Sequence, residues 1–193
     1  MERVSYALGL NIGGNIASTG IQDLNIEQFA QGVKDALAGK PTLSTQEAQQ
    51  ILNEYFSNVQ QKIAEKNKAE GTVFLAVNAQ QEGVQTLPSG LQYKILKEGT
   101  GRKPTATDGV VCHYHGMLID GSVFDSSVQR GQPATFGVNQ VIKGWTEALQ
   151  LMSEGSKWLL YIPSELAYGA QSPSPLIKPH STLIFEVELL AIQ

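Results

Sequence analysis

The stretch HYHGMLIDGSVFDSS, residues 113–127, holds two histidines, two aspartates and three serines within one short run. Those residue types fit a metal centre, a Ser-His-Asp hydrolase, or neither. Strand periodicity separates them. In VVCHYHG, residues 110–116, side chains alternate faces, so Val110, Cys112 and Tyr114 share one side and Val111, His113 and His115 the other. The apolar company of Tyr114 marks the core side, and the two histidines are expected on the solvated outer face. A zinc-type site needs three or four ligands, yet the only further histidine is His180. No metal is expected. No G-x-S-x-G elbow occurs, and Ser122, Ser126 and Ser127 lie in turn-like segments where hydroxyls usually serve nearby backbone groups. IDGS, residues 119–122, reads as a hairpin turn with Gly121 at positive φ. Tyr114, Phe124 and Asp125 are left as the residues to follow.

Outward from that hairpin, the 193-residue chain divides by punctuation. One proline, Pro41, precedes residue 84, and the other seven lie between 88 and 179. The later half is β-rich, with strand-like runs at 91–96, 109–115, 157–162 and 182–191 separated by Gly, Pro, Ser and Asp clusters. One helical pattern interrupts them, with Trp145, Ala148, Leu149 and Met152 on one face and Gly155 as its expected stop. Several antiparallel strands with one covering helix predict a small α+β domain.

The earlier half is helical in pattern. Leu8, Ile12 and Ile16 share one face of a first segment, with Gly9 and Gly13 beside it. Phe29, Val33, Ala36 and Leu37 share a face of a second, which Gly39 and Pro41 end. STQE, residues 44–47, has the form of a capping box. A helix running from there to about residue 82 would be about 57 Å long, with Gly71 as a candidate kink and Gly83 as its stop. The expected organisation is a helical region at 1–43, a long spacer helix at 44–83 and the β-rich domain at 84–193. Two uses of the helical half remain open: a bundle packed on the later half, or an apolar pair buried against a second chain.

Hydrophobic residues make up 41% of the chain, enough for a core, and the net charge is −4 with no basic block. Nucleic-acid binding is therefore not expected. No stretch approaches the roughly 18 apolar residues of a membrane span. The single cysteine, Cys112, excludes an internal disulfide. The first twenty residues lack the basic start and long apolar run of a secretory leader. A cytoplasmic location is expected, or a periplasmic one if a leader has been removed.

Aromatic residues at 114, 124, 136, 145, 168 and 185 exceed what a small core usually gathers. They are either all core or the lining of a shallow pocket with one carboxylate at its wall. Their surroundings HYHGMLIDGSVFDSS, VIKGW (141–145), ALQLMSEGSKWLLYIPSELAYGA (148–170) and PHSTLIFEVELL (179–190) stand in one order and spacing. Over about residues 88–193 that arrangement resembles the FKBP-type peptidyl-prolyl cis-trans isomerases. The helical half resembles the dimerisation region and spacer helix of the bacterial two-domain, Mip-like members.

The resemblance implies a curved antiparallel sheet wrapping a short helix, behind an all-α N-terminal region. It implies catalytic roles for Tyr114, Phe124, Asp125 and Tyr168. Substrate or macrolide contacts fall to Val141, Ile142, Trp145, Phe185, Phe136, Arg130, Leu176 and Ile177. Trp145 should form the floor and Arg130 should pair with Asp125. Ala134 stands where single-domain members carry an aromatic wall residue, which should open the pocket on that side. The overhanging loop, QSPSPLIKP (171–179), carries Lys178 where a proline is common. The implied activity is rotation about X–Pro bonds in unfolded or partly folded polypeptides, with no cofactor. The implied partners are prolyl substrates, a second copy of the chain, and the macrolides tacrolimus and rapamycin. A dimeric chaperone, with isomerisation secondary, is the alternative.

Overall fold

The computed structural model describes residues 1–19, 21 and 23–193, and of Ser18 the backbone alone. Its elements are α1 (Glu2–Ser18), α2 (Ile26–Leu37), α3 (Thr45–Asn78), β1 (Val84–Thr86), β2 (Gln92–Lys97), β3 (Gly109–Leu118), β4 (Val123–Ser126), β5 (Ala134–Gly137), α4 (Lys143–Leu151), β6 (Lys157–Ile162) and β7 (Leu183–Ile192). The chain forms two compact units, Met1–Val59 and Gln60–Gln193.

In the first unit, the local signals act as their chemistry dictates. Asn25 caps α2 by accepting from the Gln28 N–H at 2.9 Å. The helix ends in a Schellman-type turn, with Gly39 at φ +67° and the Lys40 N–H donating to the Asp35 carbonyl at 3.0 Å. Ser44 and Glu47 exchange reciprocal hydrogen bonds, 2.8 Å from the Ser44 N–H to Glu47 and 3.1 Å from the Glu47 N–H to Ser44 Oγ. No residue of α2 is buried.

The helix α3 is shorter than its pattern suggested. It stops at Asn78 rather than near 82: beyond it the backbone bonds tighten to three-residue turns, the Gln80 N–H donating to the Val77 carbonyl at 3.2 Å and the Gln81 N–H to the Asn78 carbonyl at 2.9 Å, while the Asn78 side chain donates to Gln92 Oε1 at 2.8 Å. Gly83, at φ +78°, belongs to the turn into β1 and is not the helix stop. α3 runs on through Gly71 without a break. Gly155 likewise makes a later turn, since α4 ends at Leu151 with Met152 extended.

In the second unit all strands pair antiparallel in the order β1-β2-β6-β7-β3-β4. β5 pairs with the early half of β3, which β4 leaves free. The central strands were legible as runs of alternating residues. β1, β4 and β5 span only three or four residues each, too few to show a period. Trp145, Ala148 and Leu149 of α4, with Met152 just past its end, bury in one core with Val110, Cys112, Leu160, Leu183, Val187 and Leu189 of the sheet. Cys112 is buried there, and desolvation pushes its thiol up to about 12, so it behaves as a small apolar residue.

The end of α3 belongs to this same unit. Asn78 and Gln92 are 7% and 4% exposed, and Gln92 Nε2 donates in turn to the Leu75 carbonyl at 2.9 Å. Removing one partner of a buried pair leaves the other unsatisfied, at about 1–3 kcal/mol. Asn78→Ala should therefore lower the unfolding free energy of this unit by that amount, read as a lower urea midpoint at unchanged m. An unchanged midpoint would show that the pair does not tie α3 to β2.

Candidate active site

Strand β3 brings Tyr114 to the inner face, as alternation requires, and the hairpin through Gly121 (φ +84°) returns β4 beside it. Phe124 and Asp125 thereby reach the same hollow. Across from them stand Phe185 of β7 and Phe136 of β5, and α4 enters from below with Trp145. Three rings meet the indole edge-on: Tyr114 at 5.6 Å and 82°, Phe136 at 5.6 Å and 79°, and Phe185 at 5.3 Å and 83°. Edge-on contact fixes a ring's orientation more firmly than loose apolar packing does. The indole is 3% exposed, and it forms a rigid floor.

Gly116 makes the opposite wall possible. A Cβ there would lie 2.7 Å from the Phe124 ring and 2.8 Å from the Phe185 ring. With hydrogen in its place the two rings meet at 5.4 Å and 83° over β3. Its role was not read from the sequence, although it falls between the histidine pair and the hairpin.

The resulting pocket is about 620 Å³, lined by Tyr114, Phe124, Asp125, Phe136, Gln140, Val141, Ile142, Trp145, Tyr168, Pro173, Ser174, Ile177 and Phe185. Gln140, Pro173 and Ser174 were not foreseen; they come from irregular segments without a period. Ten of the sequence-derived residues are here, and two are not. Leu176 points away and is 50% exposed, because the loop turns its neighbour Ile177 inward instead. Arg130 lies outside the lining but pairs with Asp125. Ala134 is not among the lining residues; it stands opposite Cys112 in the β3–β5 register.

The histidines do point away from the core, but they are half-buried rather than solvated. His113 Nδ1 lies 3.1 Å from Ser127 Oγ and His115 Nδ1 2.9 Å from Ser126 Oγ. Ser127 also takes the Tyr114 N–H at 2.7 Å. The return of β4 supplies those hydroxyls, which strand alternation alone does not reveal. Among the described residues no group of three His, Cys, Asp or Glu side chains could hold a metal.

Polar groups in the pocket are few and directed. The Tyr114 hydroxyl donates to Asp125, Arg130 pairs with the other Asp125 oxygen, and Arg130 also donates to the Tyr114 oxygen at 2.8 Å. Burial works to raise the Asp125 pKa, but the Tyr114 and Arg130 hydrogen bonds and the guanidinium charge outweigh it and hold it below the ordinary 3.8. Burial, and then the bond to Asp125, push Tyr114 upward. Burial and the Asp125 charge do the same to Tyr168, whose hydroxyl meets no described partner. Asp125 is thus a fixed carboxylate and both tyrosines are neutral donors at neutral pH.

A family profile described as FKBP-type peptidyl-prolyl cis-trans isomerase matches residues 100–190, and one for the domain amino terminal to such isomerases matches residues 1–95. The FKBP-type 22 kDa peptidyl-prolyl cis-trans isomerase of Escherichia coli is 46% identical over 98% of this chain and 94% of its own length. The chain belongs to the FKBP-type peptidyl-prolyl cis-trans isomerases. The outer membrane protein MIP of Legionella longbeachae is 44% identical over the whole chain and 85% of that protein. The crystal structure of FkpA from E. coli superposes with a TM-score of 0.78 at 39% identity, covering 99% of this chain and 95% of that one. This isomerase is therefore an enzyme that accelerates rotation about X–Pro bonds, and the α+β reading with an N-terminal helical region holds.

The charge state of the isomerase pocket can be measured. A carboxylate whose folded pKa is depressed contributes stability that is complete above 3.8 and is lost as pH falls through the folded value. A carbon-detected NMR titration should place the Asp125 midpoint below 3.8, and Arg130→Ala should move it upward. A wild-type midpoint at or above 3.8 would contradict the network.

Proposed function

We propose that the isomerase turns the X–Pro amide by seating the pyrrolidine ring on the Trp145 indole, between Tyr114, Phe124, Val141, Ile142 and Phe185. Rotation must cross a barrier of about 18–20 kcal/mol set by amide resonance. No bond is made or broken, so no nucleophile or general base is required. The twisted transition state has lost resonance and is less polar than the planar, strongly hydrogen-bonded ground state. A water-poor aromatic pocket therefore binds it preferentially, and each 1.4 kcal/mol of preference gives about tenfold in rate.

The observation that carries this reading is the indole held edge-on by three rings, with one carboxylate and two neutral hydroxyls at the rim. Phe136 walls the proline seat, and Ile177 overhangs it. Tyr168 offers its hydroxyl to a substrate carbonyl. So does the Ile142 amide, which donates no backbone hydrogen bond among the described residues. Asp125, fixed by Tyr114 and Arg130, polarises the turning carbonyl without exchanging a proton. The substrates are prolyl-containing polypeptides, and the same apolar seat suits the macrolides tacrolimus and rapamycin. Phe124→Ala and Asp125→Ala should each lower kcat/KM on an X–Pro peptide by about tenfold or more, read by NMR exchange. Wild-type rates in both would remove this assignment.

A homodimer through the N-terminal helices is part of the same proposal. Its support lies in the first unit alone, where Leu8, Ile12, Phe29, Val33 and Leu37 are 59%, 41%, 36%, 41% and 85% exposed. An apolar helix face of this kind normally finds cover. Two pockets on one dimer would retain an unfolded chain longer than one, which is how a chaperone function would arise. Light scattering on the full chain should give twice the monomer mass, and Phe29→Glu with Val33→Glu should halve it. A monomeric wild type would end the dimer proposal and leave the pocket mechanism standing.

A further inference from the structure

Within the second unit, α3 turns one stripe toward the sheet: Asn67, Gly71, Phe74 and Asn78, spaced at four, three and four residues. At its far end Phe74 meets the Tyr161 ring at 6.0 Å and Asn78 meets Gln92. At its near end the stripe meets no strand. Asn67 Nδ2 donates to the carbonyl of Pro179 at 2.8 Å, across 112 positions of sequence, and Pro179 is buried. One turn on, Gly71 is buried, and a Cβ there would collide with the Thr182 hydroxyl. The helix backbone lies against the exit of the segment 172–181, and its side-chain amide holds the carbonyl just before that exit.

Between the two anchors sits His180, the one described non-glycine residue at positive φ (56°). Such a conformation persists only where neighbours hold it. Its N–H donates to the Gly169 carbonyl at 2.7 Å, directly after the pocket residue Tyr168. The same segment carries Ser174 and Ile177 onto the pocket. Its tip is tied internally, Ser172 Oγ donating to the Ile177 carbonyl at 2.7 Å and the Ile177 N–H to Ser174 Oγ at 3.2 Å. The tip is thus a small rigid body, and its placement depends on its base.

We propose that Asn67 is a positioning residue for the isomerase: by holding the Pro179 carbonyl it sets the base of the 172–181 loop, and so the pocket wall made by Ser174 and Ile177. The helix α3 then takes part in substrate selection without giving an atom to the pocket. This rests on the pocket reading under Proposed function. Loss of the donor leaves the carbonyl buried and unpaired, and the loop relaxes to satisfy it. The consequence is a wall displaced relative to the proline seat, while the seat itself stays intact.

The test uses the full chain with Asn67→Ala, Asn67→Asp and, on the exposed side of the same helix, Lys66→Ala as control. Asn67→Asp keeps the shape and replaces the donor by an acceptor. NMR exchange on two peptides, Leu-Pro and Ala-Pro, yields kcat and KM separately. The expected result is a KM raised by about three- to tenfold in N67A, corresponding to one lost hydrogen bond, and by more in N67D. The Leu-Pro to Ala-Pro preference should change, kcat should stay within about twofold, and amide shifts should move at 172–181. K66A should match wild type. Unchanged KM and preference in both Asn67 variants would overturn the inference. So would a loss shared equally by kcat and KM that tracks a fall in Tm, the signature of a merely structural contact. Phe124→Ala and Asp125→Ala, run in parallel, separate the two readings. Inert Asn67 variants beside a disabled F124A or D125A overturn the positioning role alone, and wild-type rates in both F124A and D125A overturn the site and the inference together.

Discussion

The indole of Trp145, clasped edge-on by Tyr114, Phe136 and Phe185, joins the covering helix to three strands at once. Each ring comes from a different element, β3, β5 and β7, so the clasp forms only when the sheet is assembled in its native register. The same indole lines the pocket. Packing that stabilises the domain and the floor of the pocket are here the same contact. The enzyme has no separate core to protect its site, and its apolar floor is as rigid as the fold itself.

Charge is used sparingly around that floor. Asp125 is the one carboxylate of the lining, and Tyr114 and Arg130 hold both its oxygens. A carboxylate so held cannot readily swing or take up a proton at neutral pH, which suits it to act as a fixed field. The free hydroxyl of Tyr168 and the free amide of Ile142 complete the short set of groups available to a substrate. Apart from Gln140 and Ser174, the rest of the lining is aromatic or aliphatic. Such a site suits a reaction whose barrier is lost resonance rather than a broken bond.

How much of this was readable beforehand divides by the range of the interaction. Local signals read well: the Ser44–Glu47 capping box, the Gly39 helix stop, the Gly121 hairpin and the alternation that turned Tyr114 inward all appear where their chemistry places them. Features set by residues distant in sequence did not. Gly71 reads from the sequence as a candidate kink, and its packing role, the missing side chain making room for Thr182, is not legible there. The helical pattern reads on to 82, but past Asn78 the backbone closes into three-residue turns toward β1. His113 and His115 looked solvated, but serines from the returning strand reach them. Ten of the expected pocket residues line the pocket because the motif carries them as a block; Leu176 misses it because loop geometry, rather than period, decides which of two neighbouring aliphatics turns inward.

In the proposed mechanism the pocket lowers the rotational barrier without moving a proton. The direct measurement is the solvent deuterium isotope effect on kcat/KM, by NMR exchange on an X–Pro peptide in water and in heavy water. A field of fixed dipoles and a dry aromatic seat predict a ratio of about 1. A normal effect of about 2 or more would mean that a proton moves in the transition state, and it would contradict the account.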